Sequence, residues 1–105
     1  MIARCDVSSR ADCVALASKV GAEFSPDHFK IGLLFANAGV GGARQKETIL
    51  GSQQEDWDLM FAVNCMGAVW TLQAFVPRMI AQMSPCAAVV TGSAMSILPG
   101  NGLYG

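Results

Sequence analysis

Charged side chains are scarce in this sequence, and the positive ones are not clustered. Lysine, arginine, aspartate and glutamate make up 14% of the 105 residues, whereas hydrophobic residues make up 52%. The formal net charge is −1, and the seven basic residues form no run. Because a nucleic-acid surface needs clustered positive charge, the sequence predicts no nucleic-acid partner. The apolar content also excludes intrinsic disorder, since the chain has ample apolar surface to bury.

Metal-binding patterns and several hydrolytic motifs are also missing. The sequence has one histidine, His28, and no two of its four cysteines have the CxxC spacing of a metal site. No G-x-S-x-G sequence marks a nucleophilic serine, and no Gly-Lys-Ser/Thr follows the glycines after Gly39. We therefore predict no metal site. We interpret the cysteines as buried free thiols, which favours a reducing, cytoplasmic compartment.

Apolar runs alternate with helical patterns along the chain in the order β-α-β-α-β. A helical period predicts an amphipathic helix over Arg10–Val20 that Gly21 ends, and a longer helix over 53–82 that Pro77 kinks or restarts. This order predicts an α/β fold with a parallel sheet. The apolar runs predict three strands, the second and third of them buried, at Ile2–Val7, Ile31–Ala36 and Ala87–Thr91.

The long helix contains an uncharged run, Leu59–Val76, that reaches the length of a membrane span. Polar residues such as Asn64 and Gln73 interrupt this run, so we predict a buried helix of a soluble protein and no membrane. The aromatic residues of the helix are interpreted as core or interface residues: Trp57, Phe61, Trp70 and Phe75.

Polar and small residues follow each predicted strand. The carboxyl ends of parallel strands meet at one edge of a sheet, so we expect these residues to converge there. Asn64 and Tyr104 are further polar groups that could face the same edge. This set holds no histidine and no carboxylate pair, which favours proton transfer at an alcohol or carbonyl oxygen by a tyrosine. The strand-end residues are Asp6 and Val7, then Asn37, Ala38 and Gly39, then Gly92 and Ser93.

These motifs, in this order, resemble the short-chain dehydrogenase/reductase family. The resemblance covers the chain from about Ile2 to Gly105. It implies a partial Rossmann-type doubly wound parallel sheet and an oxidoreductase that uses NAD or NADP on an alcohol or carbonyl substrate. The matching motifs are Asn37-Ala38-Gly39, Phe61-Ala62-Val63-Asn64, Val89-Val90-Thr91-Gly92-Ser93, and Pro99-Gly100 before Tyr104.

The resemblance also implies catalytic roles. Tyr104 would be the general acid/base, and Ser93 would polarise the substrate carbonyl. Asn64 would hold the kinked helix open and bind a water of the proton relay. The interval from Ser93 to Tyr104 is eleven residues, shorter than the family commonly shows, so Ser96 remains an alternative to Ser93.

The cofactor residues follow from the same resemblance. Those after the second strand would line the cofactor cleft, and those after the first would contact the adenine. The implied cofactor-binding residues are Asp6, Val7, Asn37, Ala38, Gly39 and Tyr104.

Two features of the family do not occur in the sequence. Its glycine-rich pyrophosphate turn is expected upstream of Met1, and its active-site lysine is expected just after Tyr104. We therefore interpret residues 1–105 as the central part of a longer NAD(P)-binding domain. An alternative is a catalytically inactive fragment that acts as an interaction module through its long helix. The resemblance implies that this helix, 53–82, is the subunit interface of a homo-oligomer.

Overall fold

The structure is a computed structural model, and it describes residues 1–25, 27–41 and 50–93. Its first helix begins at a serine cap. Ser9 has an extended backbone, and its Oγ accepts a hydrogen bond from the Asp12 N–H at 3.2 Å, which satisfies one free donor of helix α1 (Arg10–Glu23). Cys13 is buried on this helix, and Leu16 is half-buried. The predicted amphipathic helix is therefore present.

The sequence predicted that helix α1 ends at Gly21, and this prediction is wrong. The helix continues to Glu23, and Phe24 follows as its C-cap. The guanidinium of Arg78 donates a hydrogen bond to the Phe24 carbonyl at 2.8 Å. A Cβ on Gly21 would lie 3.1 Å from that guanidinium, so the glycine gives the arginine room to reach the helix end. A cation at a helix C-terminus also stabilises the helix dipole.

Strands β1 (Leu33–Ala36) and β2 (Ala87–Val90) form a parallel pair. Leu33 pairs with Ala87, and Ala36 pairs with Val90. A helical connection joins the two strands, as parallel pairing requires. The second and third predicted strands and their parallel arrangement are thus confirmed.

Two expectations about the sheet are wrong for the described residues. Residues 2–7 do not form a strand, because no neighbouring strand supplies ladder hydrogen bonds to them. The two strands are also largely exposed: Ala36 is the one buried residue in them, whereas Phe35 is 61% exposed and Val90 is 52% exposed. Helix α3 (Gly67–Ala81) packs against both strands, but the described residues provide no second layer on the other face.

The long helix is continuous over Gln54–Ala81, and its irregular part lies at a different place from the one predicted. Helix α2 (Gln54–Met60) passes into a π-helical segment (Phe61–Met66), which passes into α3. Pro77 lies inside α3 and does not restart it. Wider turns of this kind within α-helices are frequently found at functional sites.

Only a narrow stripe of this helix is buried. By length and composition its 28 residues could cross a membrane, and 11% of its most apolar stretch is buried. The expectation of a buried helix is therefore wrong for the described residues, because α1 and the sheet cover a single face. Apart from Asp56 in the first turn, the buried residues recur every four positions or multiples of four, at Val63, Gly67, Phe75 and Met79.

The helix also holds the beginning of strand β1 through a side-chain amide. Gln82, the C-cap of α3, accepts a hydrogen bond from the Ile31 N–H at 2.9 Å through Oε1. Its Nε2 donates to the Ile31 carbonyl at 2.6 Å. The carboxamide thus pairs with the backbone as a neighbouring strand would.

Candidate active site

The ends of both strands open into one cavity. Asn37, Ala38 and Gly39 follow β1, and Thr91, Gly92 and Ser93 follow β2. These residues line a cavity of about 450 Å³ together with Asn64 from the π-helical segment. The structure therefore brings together the residues that follow β1 and β2, as the parallel topology predicted, and it places Asn64 of the long helix with them.

Asn64 pairs with the loop that leaves β1. Its Oδ1 accepts a hydrogen bond from the Val40 N–H at 2.8 Å, and its Nδ2 donates to the Val40 carbonyl at 2.9 Å. These two bonds fix the orientation of the amide and hold the loop against the helix. Because the side chain is engaged with Val40, Asn64 positions the cavity wall.

A hydrogen bond joins the two strand ends directly. The Thr91 hydroxyl donates to Asn37 Oδ1 at 2.7 Å. Thr91 was not among the predicted site residues. Ala36 pairs with Val90, so the next residue of each strand had to be a neighbour of the other, and both are polar. That register was the signal that could have identified Thr91.

Asp6 is occupied by its own turn. Its Oδ1 accepts hydrogen bonds from the Ser8 hydroxyl at 2.7 Å and from the Ser8 N–H at 2.9 Å. These bonds lower the pKa of the Asp6 carboxyl, with a smaller contribution from Arg4. Asp6 does not line the site cavity. It lies on a turn that precedes α1, where its carboxylate orders the backbone.

Val7 lies closer to the strand ends than Asp6 does. It lines a second cavity, of about 210 Å³, together with Asn37 and Ala38. A Cβ added to Gly67 would lie 2.8 Å from the Val7 Cγ2, so this glycine permits close approach of the Val7 segment to α3. Of the two residues expected to contact the adenine, Val7 thus lines a cavity with residues of the β1 loop, and Asp6 lies on the turn next to it.

Of the remaining predicted catalytic residues, the structure describes Ser93. Ser93 is exposed and lines the cavity. Tyr104 and the alternative serine, Ser96, lie outside the described residues.

The cysteines are less buried than the sequence predicted. All four cysteines are free, and Cys13 is buried, but Cys65 and Cys86 are exposed because the sheet and helix around them lack a second layer. Burial, and then the neighbouring Cys13 thiol, raises the pKa of Cys5 to about 11.

Within residues 1–25, 27–41 and 50–93, no group of His, Cys, Asp and Glu could hold a metal ion.

Of the four aromatic residues expected in a core or interface, only Phe75 is buried. Trp70 is half-buried, and the Arg10 guanidinium lies 5.4 Å from its ring centroid. Trp57 and Phe61 are 38% and 62% exposed and line the site cavity. Trp57 and Phe61 are therefore not core residues in the described part of the chain, and the interface interpretation stays a prediction for them.

The chain is similar to known proteins over almost its whole length. A family model described as short chain dehydrogenase matches residues 1–104. An uncharacterised short-chain type dehydrogenase/reductase of Sinorhizobium fredii is 29% identical over 102 residues, which cover 97% of this chain and 37% of that protein. The chain thus spans little more than a third of the length of this curated relative.

Solved structures show the same likeness. A short-chain dehydrogenase/reductase from Burkholderia phymatum in complex with NAD is 34% identical, with a TM-score of 0.83 over 96% of this chain and 34% of that one. An alcohol dehydrogenase from the archaeon Thermococcus sibiricus, complexed with 5-hydroxy-NADP, is 26% identical, with a TM-score of 0.73. It is matched over 90% of this chain and 36% of its own. These structures support the partial Rossmann-type fold.

Proposed function

Because the chain belongs to the short-chain dehydrogenase/reductase family, we propose that it forms part of an oxidoreductase acting between an alcohol or carbonyl substrate and NAD or NADP. The alcohol loses a hydride to the nicotinamide and its hydroxyl proton to a general base, and a carbonyl product forms. The reverse direction uses the same groups. The observation that carries the proposal is the convergence of Asn37, Asn64 and Ser93 on one cavity.

The residues at the strand ends are suited to a dinucleotide. Ligands of open parallel sheets bind beyond the carboxyl ends of the strands, which is where this cavity lies. Ala38 has only a methyl side chain, Gly39 has no side chain, and both are exposed, so a ligand can approach the backbone closely. Asn37, Ala38 and Gly39 would hold the central part of the cofactor, and Asp6 and Val7 would meet its adenine. Similar proteins were solved with NAD and with an NADP derivative, so either cofactor fits the proposal.

The proposed catalytic groups are a serine and a tyrosine. The Ser93 hydroxyl would donate a hydrogen bond to the substrate oxygen, and Tyr104 would exchange the proton with it. Asn64 would act as a positioning residue, because its amide holds the Val40 backbone. Ser96 remains the alternative to Ser93.

For the long helix we propose a second copy of the protein as the partner. Its exposed apolar side chains include Leu59 and Ile80, at 44% and 67% exposure. Asn64, Thr71 and Gln73 interrupt its apolar run, which favours packing against protein over insertion into lipid. We propose a cytoplasmic location on the basis of the four free cysteines. If no activity is found, an interaction module acting through this helix is the alternative.

The test is oxidation of secondary alcohols by the protein at its full natural length, with NAD or NADP. We expect Ser93→Ala and Tyr104→Phe each to lower kcat by about a hundredfold or more, the usual contribution of a positioned acid/base group. Ser18→Ala, an exposed serine on α1, is the matched control and should leave kcat unchanged. Loss of activity in Ser96→Ala but not in Ser93→Ala would assign the role to Ser96. Full activity in Tyr104→Phe, or no activity with either cofactor, would overturn the proposal.

A further inference from the structure

The site cavity has one polar wall and one apolar wall. The polar wall, at the strand ends, carries Asn37 and Ser93. The apolar wall, on the long helix, carries Trp57, Met60 and Phe61, and Asn64 follows them on the same helix. Residues three and four positions apart lie on the same face of a helix, so these three side chains form a continuous surface.

The apolar wall is exposed, and one of its rings is fixed in place. Phe61 is 62% exposed and Trp57 is 38% exposed. The Trp57 indole N–H donates a hydrogen bond to the Ser52 hydroxyl at 2.9 Å, which holds the ring in one orientation. Met60 adds an adaptable side chain between the two rings. A ligand that covers this surface gains the free energy of removing apolar area from water.

Among the residues that the structure describes, no charged side chain lines the cavity. Its described lining consists of apolar residues, glycines and the neutral polar groups of asparagine, threonine, serine and cysteine. A carboxylate or phosphate on the substrate would therefore find no cationic partner at this wall. The cavity volume of about 450 Å³ lies within the ~300–1,000 Å³ of small-molecule sites.

We infer that the substrate is a neutral alcohol or ketone with an apolar, ring-sized group on its reacting carbon. This inference rests on the proposed function. The substrate oxygen lies toward Ser93, and the ring lies against Trp57, Met60 and Phe61. The two walls thus orient the substrate, because the polar end and the apolar end cannot exchange places.

The experiment compares three secondary alcohols with the same reacting group, using the protein at its full natural length. They are 2-propanol, 1-cyclohexylethanol and lactate, which carry a methyl, a cyclohexyl and a carboxylate group at the varied position. We expect kcat/KM for 1-cyclohexylethanol to exceed the other two by about tenfold or more. Phe61→Ala should reduce that advantage by about tenfold, because its loss of kcat/KM falls mainly on 1-cyclohexylethanol, whose ring contacts Phe61, and much less on 2-propanol.

The control is Val14→Ala, which shortens an apolar side chain that is 51% exposed on α1 and lies outside the cavity. It should leave the preference intact. Phe61→Leu, which keeps an apolar side chain, should fall between the parent and Phe61→Ala. Equal loss on 2-propanol and 1-cyclohexylethanol in Phe61→Ala, or a preference for lactate, would overturn the inference.

A binding measurement separates this inference from the proposed function. A proton–nitrogen correlation NMR spectrum shows the indole N–H signals of Trp57 and Trp70. The variants Trp57→Phe and Trp70→Phe assign each signal to its residue. Addition of 1-cyclohexylethanol should shift the Trp57 signal and leave the Trp70 signal in place. If no alcohol is oxidised with either cofactor, the proposed function fails. This titration then decides the inference alone, and an unchanged Trp57 signal refutes it.

Discussion

The pairing of Gln82 with Ile31 makes a quantitative prediction about stability. Both residues are half-buried, and the amide makes two hydrogen bonds to one backbone unit, at 2.9 and 2.6 Å. Gln82→Ala removes both bonds and leaves the Ile31 N–H and carbonyl without a protein partner. A net hydrogen bond contributes ~1 kcal/mol, and an unpaired buried group costs ~1–3 kcal/mol. Water reaches half-buried groups, so we expect a loss of about 2–3 kcal/mol in the free energy of unfolding.

The assay is urea denaturation followed by circular dichroism, and the matched control is Gln73→Ala. Gln73 is an exposed glutamine on the same helix, so its replacement should change stability by less than ~0.5 kcal/mol. If Gln82→Ala and Gln73→Ala have the same midpoint and slope, the amide pairing does not stabilise the fold and the reasoning is refuted.

Gln82→Glu adds a dependence on pH with a defined sign. The protonated carboxyl can still donate to the Ile31 carbonyl, whereas the carboxylate would face that carbonyl as a second acceptor. The folded state therefore raises the pKa of the introduced carboxyl above its unfolded value. The variant should be closest to the parent at low pH and lose stability relative to it as pH rises above the unfolded-state pKa. A difference that stays constant with pH would contradict the assigned geometry.

Two further predictions concern the turn before α1. Gly67→Ala places a Cβ 2.8 Å from Val7 Cγ2, so overpacking of ~1–3 kcal/mol should exceed the ~1 kcal/mol gain in helix propensity. Urea denaturation should show a smaller loss in a Val7→Ala background, and equal losses in both backgrounds would reject the contact. An NMR titration should give the Asp6 carboxyl a pKa below its ordinary value, and Ser8→Ala should raise it. The stability difference between parent and Ser8→Ala should then shrink as pH falls through the folded-state pKa, and an unmoved Asp6 midpoint would count against the Ser8 bonds.

The parts of the fold that local sequence determines were predictable. Ser9 is a good helix cap, and the short apolar runs around Leu34 and Val89 form parallel strands as expected. The meeting of Asn37 and Ser93 followed from topology, since the carboxyl ends of parallel strands share an edge. Asn64 lies on the helix, and the sequence named it only as a polar group that could face that edge.

The parts that depend on distant contacts were not predictable. Helix α1 continues past Gly21, and the guanidinium of Arg78, far along the chain, binds the Phe24 carbonyl at the end of that helix. Pro77 has no effect on helix continuity, whereas the π-helical segment contains no proline or glycine that would mark it. The exposure of Phe35 reflects the absence of a covering layer among the described residues, which a local apolar run does not encode.

The two side-chain amides make helix and strand mutually dependent in length. Asn64 holds Val40 after β1, and Gln82 holds Ile31 before it. Eighteen residues separate the two amides and nine separate their backbone partners. At ~1.5 Å per helical residue and ~3.3 Å per strand residue, these intervals span about 27 and 30 Å. One inserted residue between the amides would shift one of them by ~1.5 Å and rotate it by ~100°. Insertions and deletions within residues 31–40 or within residues 64–82 should therefore break one of the two amide pairings.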